Sequence, residues 1–183
     1  MRQSAEDIRG LLDKLGLRNI RAMGISAGGM TLLHLTRKYP GYVDIMAVIG
    51  ATSRFVDQTR KVIRGEIAAP PPKEVTDMFD TCASRGQPQV RDLMAQFRSF
   101  ADSNDDMNLT PADLAKITAR TLIVHGDRDE FFPVELPVEV YRAIPGSQLW
   151  IVPRGDHVPI YGPRLPEFLR VTKAFLANPK PAR

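Results

Sequence analysis

Met23-Gly24-Ile25-Ser26-Ala27-Gly28-Gly29-Met30 is the stretch from which the rest of the chain is read. It carries the pattern G-x-S-x-G with one more glycine behind it. A short apolar strand pattern, Ile20 to Met23, precedes it, and a helical pattern from Ala27 to Tyr39 follows, closed by Pro40-Gly41. A serine between strand and helix, with glycine two positions away on each side, is the elbow that presents a nucleophile. So tight a turn predicts positive φ at Ser26. Gly24 and Gly28 carry no Cβ, which predicts that strand and helix approach closely around the turn. The Ser26 hydroxyl then stands above a sheet, and the Ala27 N–H, at the helix N-terminus, faces an oxyanion. The same pattern also fits a glycine-rich turn cradling a phosphate, so its context has to decide.

Outward from the elbow the chain alternates helix and strand. Ser4 to Leu15 reads as a helix, with Ile8, Leu11, Leu12 and Leu15 on one stripe, Ser4 and Asp7 as a capping box, and Gly16 as the stop. Val43 to Ile49 is a near-continuous apolar run, as expected of a strand covered on both faces. Thr110-Pro111-Ala112-Asp113 restarts regular structure, with Thr110 as N-cap. Thr121 to His125 and Gln148 to Val152 read as further strands. Pro133 to Ile144 reads as a helix with Pro137 in its first turn, and Pro166 to Leu176 as the closing helix. Strands alternating with helices predict a parallel α/β sheet whose site lies at the carboxyl ends of the strands.

Between about Phe55 and Asn108 no strand pattern occurs. Helical stretches, Asp57 to Arg64, Lys73 to Ala83 and Val90 to Ala101, alternate with breakers at Pro70-Pro71-Pro72 and Gln87-Pro88. The chain therefore divides into a first core part at 1–54, a helical insertion at 55–109 and a second core part at 110–183. The apolar residues of the insertion suit helix packing, or a lid lined by Met and Phe over an apolar pocket. The tail, Asn178 to Arg183, is proline-rich and basic and is expected to fray.

Two loops after strand patterns carry the remaining chemistry. Leu122-Ile123-Val124-His125-Gly126-Asp127-Arg128-Asp129 offers two carboxylates. Asp129 has more reach across the sheet edge and Asp127 suits a turn cap, so Asp129 is favoured as the acid. A calcium loop is the rival reading, but Phe131 and Phe132 occupy positions that would need ligands and glycine. His125 reads as a strand residue. Pro153-Arg154-Gly155-Asp156-His157-Val158-Pro159 places His157 in a glycine- and proline-bounded loop, where an imidazole can take the Ser26 proton and return it to a leaving group. His34 has no partner at metal spacing and reads as structural.

Composition narrows the alternatives. The 183 residues suffice for one domain with a core, and 43% hydrophobic with 25% charged content is ordinary for a globular protein. A net charge of +4 and a pI near 9.4 come from singly scattered basic residues with acids among them, which argues against a nucleic-acid partner. No apolar run has membrane-span length and no signal-peptide pattern opens the chain. With a lone Cys82 as well, a cytoplasmic, reducing location is expected.

The pieces Gly24-Ile25-Ser26-Ala27-Gly28-Gly29, Leu122 to Asp129 with Pro133 after it, and Gly155-Asp156-His157 resemble the α/β-hydrolase superfamily, in its serine-nucleophile branch. The resemblance covers essentially the whole chain. It implies a three-layer fold and a Ser26–Asp129–His157 triad, since the later carboxylate of the Gly-x-x-Asp turn is the acid there. It also implies a helical cap where the insertion lies. The family places roughly four strands before the elbow strand and an oxyanion loop after an early one. Here a single helix stands in that place, so the chain looks like the C-terminal two-thirds of a hydrolase, with about four strands and the elbow strand at an open edge. On this reading Thr52, Met78, Phe79, Phe131 and Val158 contact substrate, a small acyl compound, and neither metal nor organic cofactor is needed. Self-association through the open sheet edge is expected as well. An inactive fragment or non-catalytic binding member of the fold is the alternative, and the same triad also suits perhydrolysis or carbon–carbon hydrolysis.

Overall fold

The computed structural model describes residues 1–66 and 73–177, without the side chains of 73–76 and 78. The proline run at 70–72, the Met78 side chain and the tail at 178–183 lie outside the described residues. Helix α1 (Arg2–Lys14) leads to strand β1 (Ile20–Ile25), helix α2 (Ala27–Lys38) and strand β2 (Val43–Ile49). Helices α3 (Asp57–Arg64), α4 (Lys73–Cys82), α5 (Gln87–Ser99) and the single turn α6 (Pro111–Leu114) follow. Strand β3 (Arg120–Gly126), helix α7 (Glu135–Ala143), strand β4 (Gln148–Val152) and helix α8 (Leu165–Ala177) complete the order. The strands form one parallel sheet in the order β1-β2-β3-β4, with β1 at an edge.

The apolar runs become strands because both faces are covered. On one face Met46, Val48 and Ile123 pack with Met30 and Leu33 of α2 and with Leu136 and Val140 of α7. On the other, Ile45, Ala47, Ile49, Leu122 and Val124 meet Phe168 and Phe175 of α8. Alternation within one run thus feeds both cores, and the result is the expected three-layer architecture with four parallel strands.

The helical insertion is pinched at its neck. Arg54 and Asn108 form an antiparallel bridge, and the Leu109 N–H donates to the Ser53 carbonyl at 3.0 Å. Above the neck, the Arg60 guanidinium donates to the carbonyls of Phe100 (3.0 Å), Ala101 (2.8 Å) and Ser103 (3.1 Å), which fastens α3 to the end of α5.

Three local expectations need correction. The Ser4–Asp7 capping box does not form: α1 starts at Arg2 with no side-chain cap of its own, and the Arg2 N–H donates at 2.8 Å to Asp106, which lies far along the chain. A tertiary carboxylate replaces the local cap. Gln87-Pro88 does not break α5 but opens it, because proline lacks only an N–H that the first turn leaves unpaired anyway. Strand β1 runs on to Ile25, directly against the serine.

Candidate active site

The elbow forms at the carboxyl end of β1. Ser26 has φ 49° and ψ −118°, a conformation costly for any residue with a Cβ and held here by its surroundings. Its N–H donates to Ile49 of β2 at 2.7 Å, and its carbonyl accepts the first bond of α2, from the Met30 N–H at 3.0 Å. The close approach belongs to Gly24 and Gly29. A Cβ on Gly24 would lie 2.5 Å from the Gly28 backbone, and one on Gly29 would lie 2.7 Å from the Ala51 Cβ. Gly28, expected to share this role, has open space where its Cβ would be. The reason is helical phase: position 29, not 28, turns back towards the strand. Ala27 is exposed, and as the first residue of α2 its N–H has no intrahelical carbonyl to meet.

His157 comes from the loop after β4. Its Nε2 lies 2.9 Å from Ser26 Oγ and its Nδ1 lies 2.9 Å from Asp129 Oδ2. Residues far apart in sequence thus form one continuous hydrogen-bonded line. An imidazole so placed can accept the hydroxyl proton through one nitrogen while the carboxylate balances the charge at the other. Glycines at strand ends make room for the histidine loop. A Cβ on Gly50, after β2, would lie 2.4 Å from the His157 carbonyl oxygen, and one on Gly126, at the end of β3, would lie 2.2 Å from that of Asp156.

The two carboxylates divide as their reach suggests. Asp129 is buried, and its Oδ1 accepts the N–H groups of Phe131 (2.8 Å) and Phe132 (3.0 Å), leaving Oδ2 for His157. Asp127 accepts the Gly155 N–H at 3.1 Å and so staples the acid loop to the histidine loop. The loop after Asp129 does more than the sequence disclosed. The Phe131 ring centroid lies 4.6 Å from that of His157, and the Phe132 ring meets the imidazole edge-on at 5.3 Å. From α3, the Gln58 amide donates to the Glu130 carbonyl (2.9 Å) and the Thr59 hydroxyl to that of Phe131 (2.7 Å). His125 Nε2 meets the Phe132 carbonyl at 2.9 Å. Glycines ending strands were the available signal for Gly50; nothing local marked Thr59 or His125.

The expected substrate contacts fare unevenly. Phe131 is half-buried beside the imidazole. Val158 is half-buried and packs against the α8-side core. Phe79 is half-buried on α4. Thr52 is wholly buried with its hydroxyl bonded to the Arg54 carbonyl at 3.2 Å, so it is not on an accessible wall; the neck of the insertion takes it. Met78 lies outside the described side chains. Among the described residues no cluster of His, Cys, Asp and Glu is arranged to hold a metal ion, and no helix is long and apolar enough to cross a membrane.

No protein-family model matches the chain. It is 27% identical over 162 residues to the human serine hydrolase BPHL, covering 85% of this chain and 54% of that protein. It is 26% identical over 193 residues to a 2-hydroxy-6-oxo-2,4-heptadienoate hydrolase of Pseudomonas putida, covering 93% of this chain and 68% of the relative. The chain thus spans about half the length of the human relative. Among solved structures, a meta-cleavage product hydrolase from Pseudomonas fluorescens superposes with TM-score 0.69 at 21% identity, covering 97% of this chain and 72% of that one. An esterase from Exiguobacterium antarcticum superposes with TM-score 0.70 at 20% identity, covering 95% and 72%. The four-stranded parallel sheet with its flanking helices, taken with these likenesses, gives the chain a truncated α/β-hydrolase fold, similar to that of these hydrolases and esterases.

Proposed function

We propose that this chain is a serine hydrolase that cleaves a small ester or related acyl substrate through an acyl-Ser26 intermediate. The observation that carries the reading is the unbroken line Ser26 Oγ–His157 Nε2, His157 Nδ1–Asp129 Oδ2, with both separations 2.9 Å. His157 takes the Ser26 proton as Oγ attacks the acyl carbon, and Asp129 balances the imidazolium. The Ala27 N–H stabilises the tetrahedral oxyanion. His157 then gives the proton to the leaving group, and water repeats the cycle on the acyl-enzyme. The insertion acts as a cap, a role supported by the grip of Gln58 and Thr59 on the acid loop.

A fluorophosphonate probe tests this reading. Labelling is expected on Ser26, abolished in Ser26→Ala and slowed by about 10²–10⁴ in His157→Ala. Undiminished labelling of Ser26→Ala would end the proposal. A second reading, hydrolysis of a 2-hydroxy-6-oxo-dienoate by the same residues, is favoured by the names of several relatives. Turnover of such a dienoate against a p-nitrophenyl ester separates the two. A protein unlabelled alone but labelled with an added partner chain would point to the inactive-fragment alternative, and one unlabelled under both conditions to the non-catalytic binding member. A cytoplasmic location belongs to the same proposal and rests on the lone Cys82.

A further inference from the structure

His125 stands apart from the three residues just assigned. It is the penultimate residue of β3, with no exposed surface. A buried imidazole in a strand of apolar neighbours needs a reason, since Leu or Val would fill the place without a polar atom to satisfy. Its Nε2 lies 2.9 Å from the Phe132 carbonyl oxygen, so Nε2 carries the hydrogen and donates. Its Nδ1 is buried with no hydrogen-bond partner among the described residues. The same Nε2 lies 3.6 Å from Asp129 Oδ2, the oxygen that holds His157. The charged or titratable groups felt at this imidazole are Asp129 and His157, and burial favours its neutral form.

The Phe132 carbonyl belongs to a turn whose placement matters. The N–H groups of Phe131 and Phe132 fix Asp129 Oδ1, and both rings pack on the His157 imidazole. We infer that His125 is a positioning residue: a neutral imidazole that, by donating to Phe132, fixes the turn on which Asp129 orients His157. It touches no reacting atom; it acts through the acid loop. The inference rests on the hydrolase reading for its catalytic consequence, but the geometry it invokes can be read without turnover.

The test compares His125→Leu, which removes the donor, with His125→Gln, whose amide can reach the same carbonyl. Two readouts are taken on the full chain: the rate of fluorophosphonate labelling at Ser26, and the low-field proton resonance of His157 Nδ1–H bound to Asp129. In His125→Leu labelling is expected to slow at least about tenfold and the resonance to broaden or move upfield. His125→Gln is expected to restore both, with labelling within about threefold of the parent. Where His125→Leu does not fold, His125→Asn replaces it, since its shorter amide falls short of Phe132. A folded donor-lacking variant with the parent's resonance and labelling rate overturns the inference, as does a His125→Gln that behaves like His125→Leu. Absence of labelling in the parent sinks the hydrolase reading alone, because the resonance still reports the Asp129–His157 geometry.

Discussion

At the scale of single residues, the elbow explains which glycines matter. A Cβ at Gly24 meets backbone atoms that cannot rotate away, and one at Gly29 meets the Cβ of Ala51. Gly24→Ala and Gly29→Ala are therefore expected to destabilise by about 1–3 kcal/mol, the range for overpacking a closed site. Gly28→Ala meets open space in the first turn of α2, where alanine is the better helix former, so it is expected to be neutral or stabilising by up to about 1 kcal/mol. Urea unfolding of the three variants checks the order, and a Gly28→Ala as damaging as Gly24→Ala would refute it. Sequence alone pointed to glycine around Ser26 but chose the wrong partner, because the pattern does not say which position faces the strand. Ser26, Asp129 and His157 were legible for a different reason: each is a polar residue in a breaker-bounded turn just past an apolar run. His125 and Thr59 were not, since their partners are carbonyls of a loop that only folding brings near.

At the scale of elements, the structure shows how short pieces are pinned. The turn α6 has a complete capping box: the Asp113 N–H donates to Thr110 Oγ1 at 3.2 Å, and the Thr110 N–H donates back to the Asp113 carboxylate at 3.1 Å. Bonds from Thr110 and then the Arg37 guanidinium hold the Asp113 carboxyl down from 3.8 to about 2. The sign follows from the direction. The folded state binds the proton less readily, so the contribution is full above the unfolded value and is lost as pH falls through about 2. Asp113→Asn is expected to cost about 1 kcal/mol near neutral pH, typical of a lost cap. It should also flatten the fall of stability with acid, which denaturant titrations at neutral and acid pH read directly. This box was visible in the sequence as Thr110-Pro111-Ala112-Asp113, whereas the similar Ser4–Asp7 spacing misled. Both have the local pattern, but only at α1 does a distant carboxylate, Asp106, take the N-terminal donor. Thr59→Val probes another pin: it removes the bond from α3 to the Phe131 carbonyl and is expected to cost about 1–2 kcal/mol, read by the unfolding midpoint. If the insertion is a cap that steadies the acid loop, Thr59→Val also slows labelling of Ser26. A variant that unfolds earlier but labels at the parent rate would separate stability from positioning.

At the scale of the whole molecule, the open edge of the sheet dominates. Among the described residues, strand β1 pairs with β2 alone. The N–H groups of Ile20 and Ser26 turn towards β2, so by alternation the backbone of Arg21, Met23 and Ile25 faces outward. Parallel sheets are normally covered, and an uncovered edge is a template for another strand. Apolar side chains stand near it: Met23 is 44% exposed, and Leu15 and Leu17, on the approach to β1, are 58% and 44% exposed. Strand addition between two copies would satisfy the outward donors and acceptors and cover part of this surface at once. The chain is therefore expected to associate as its concentration rises from about 1 to about 100 μM, with light scattering after size exclusion giving a mass above the 20.4 kDa of one copy. Met23→Lys places a charge on the edge, the device by which sheets avoid such pairing, and is expected to return the mass to that of one copy without lowering the unfolding midpoint. The parent protein holding the single-copy mass throughout this range would show that the edge is protected by its own twist and by Arg21, and that strand pairing is not how this surface is used.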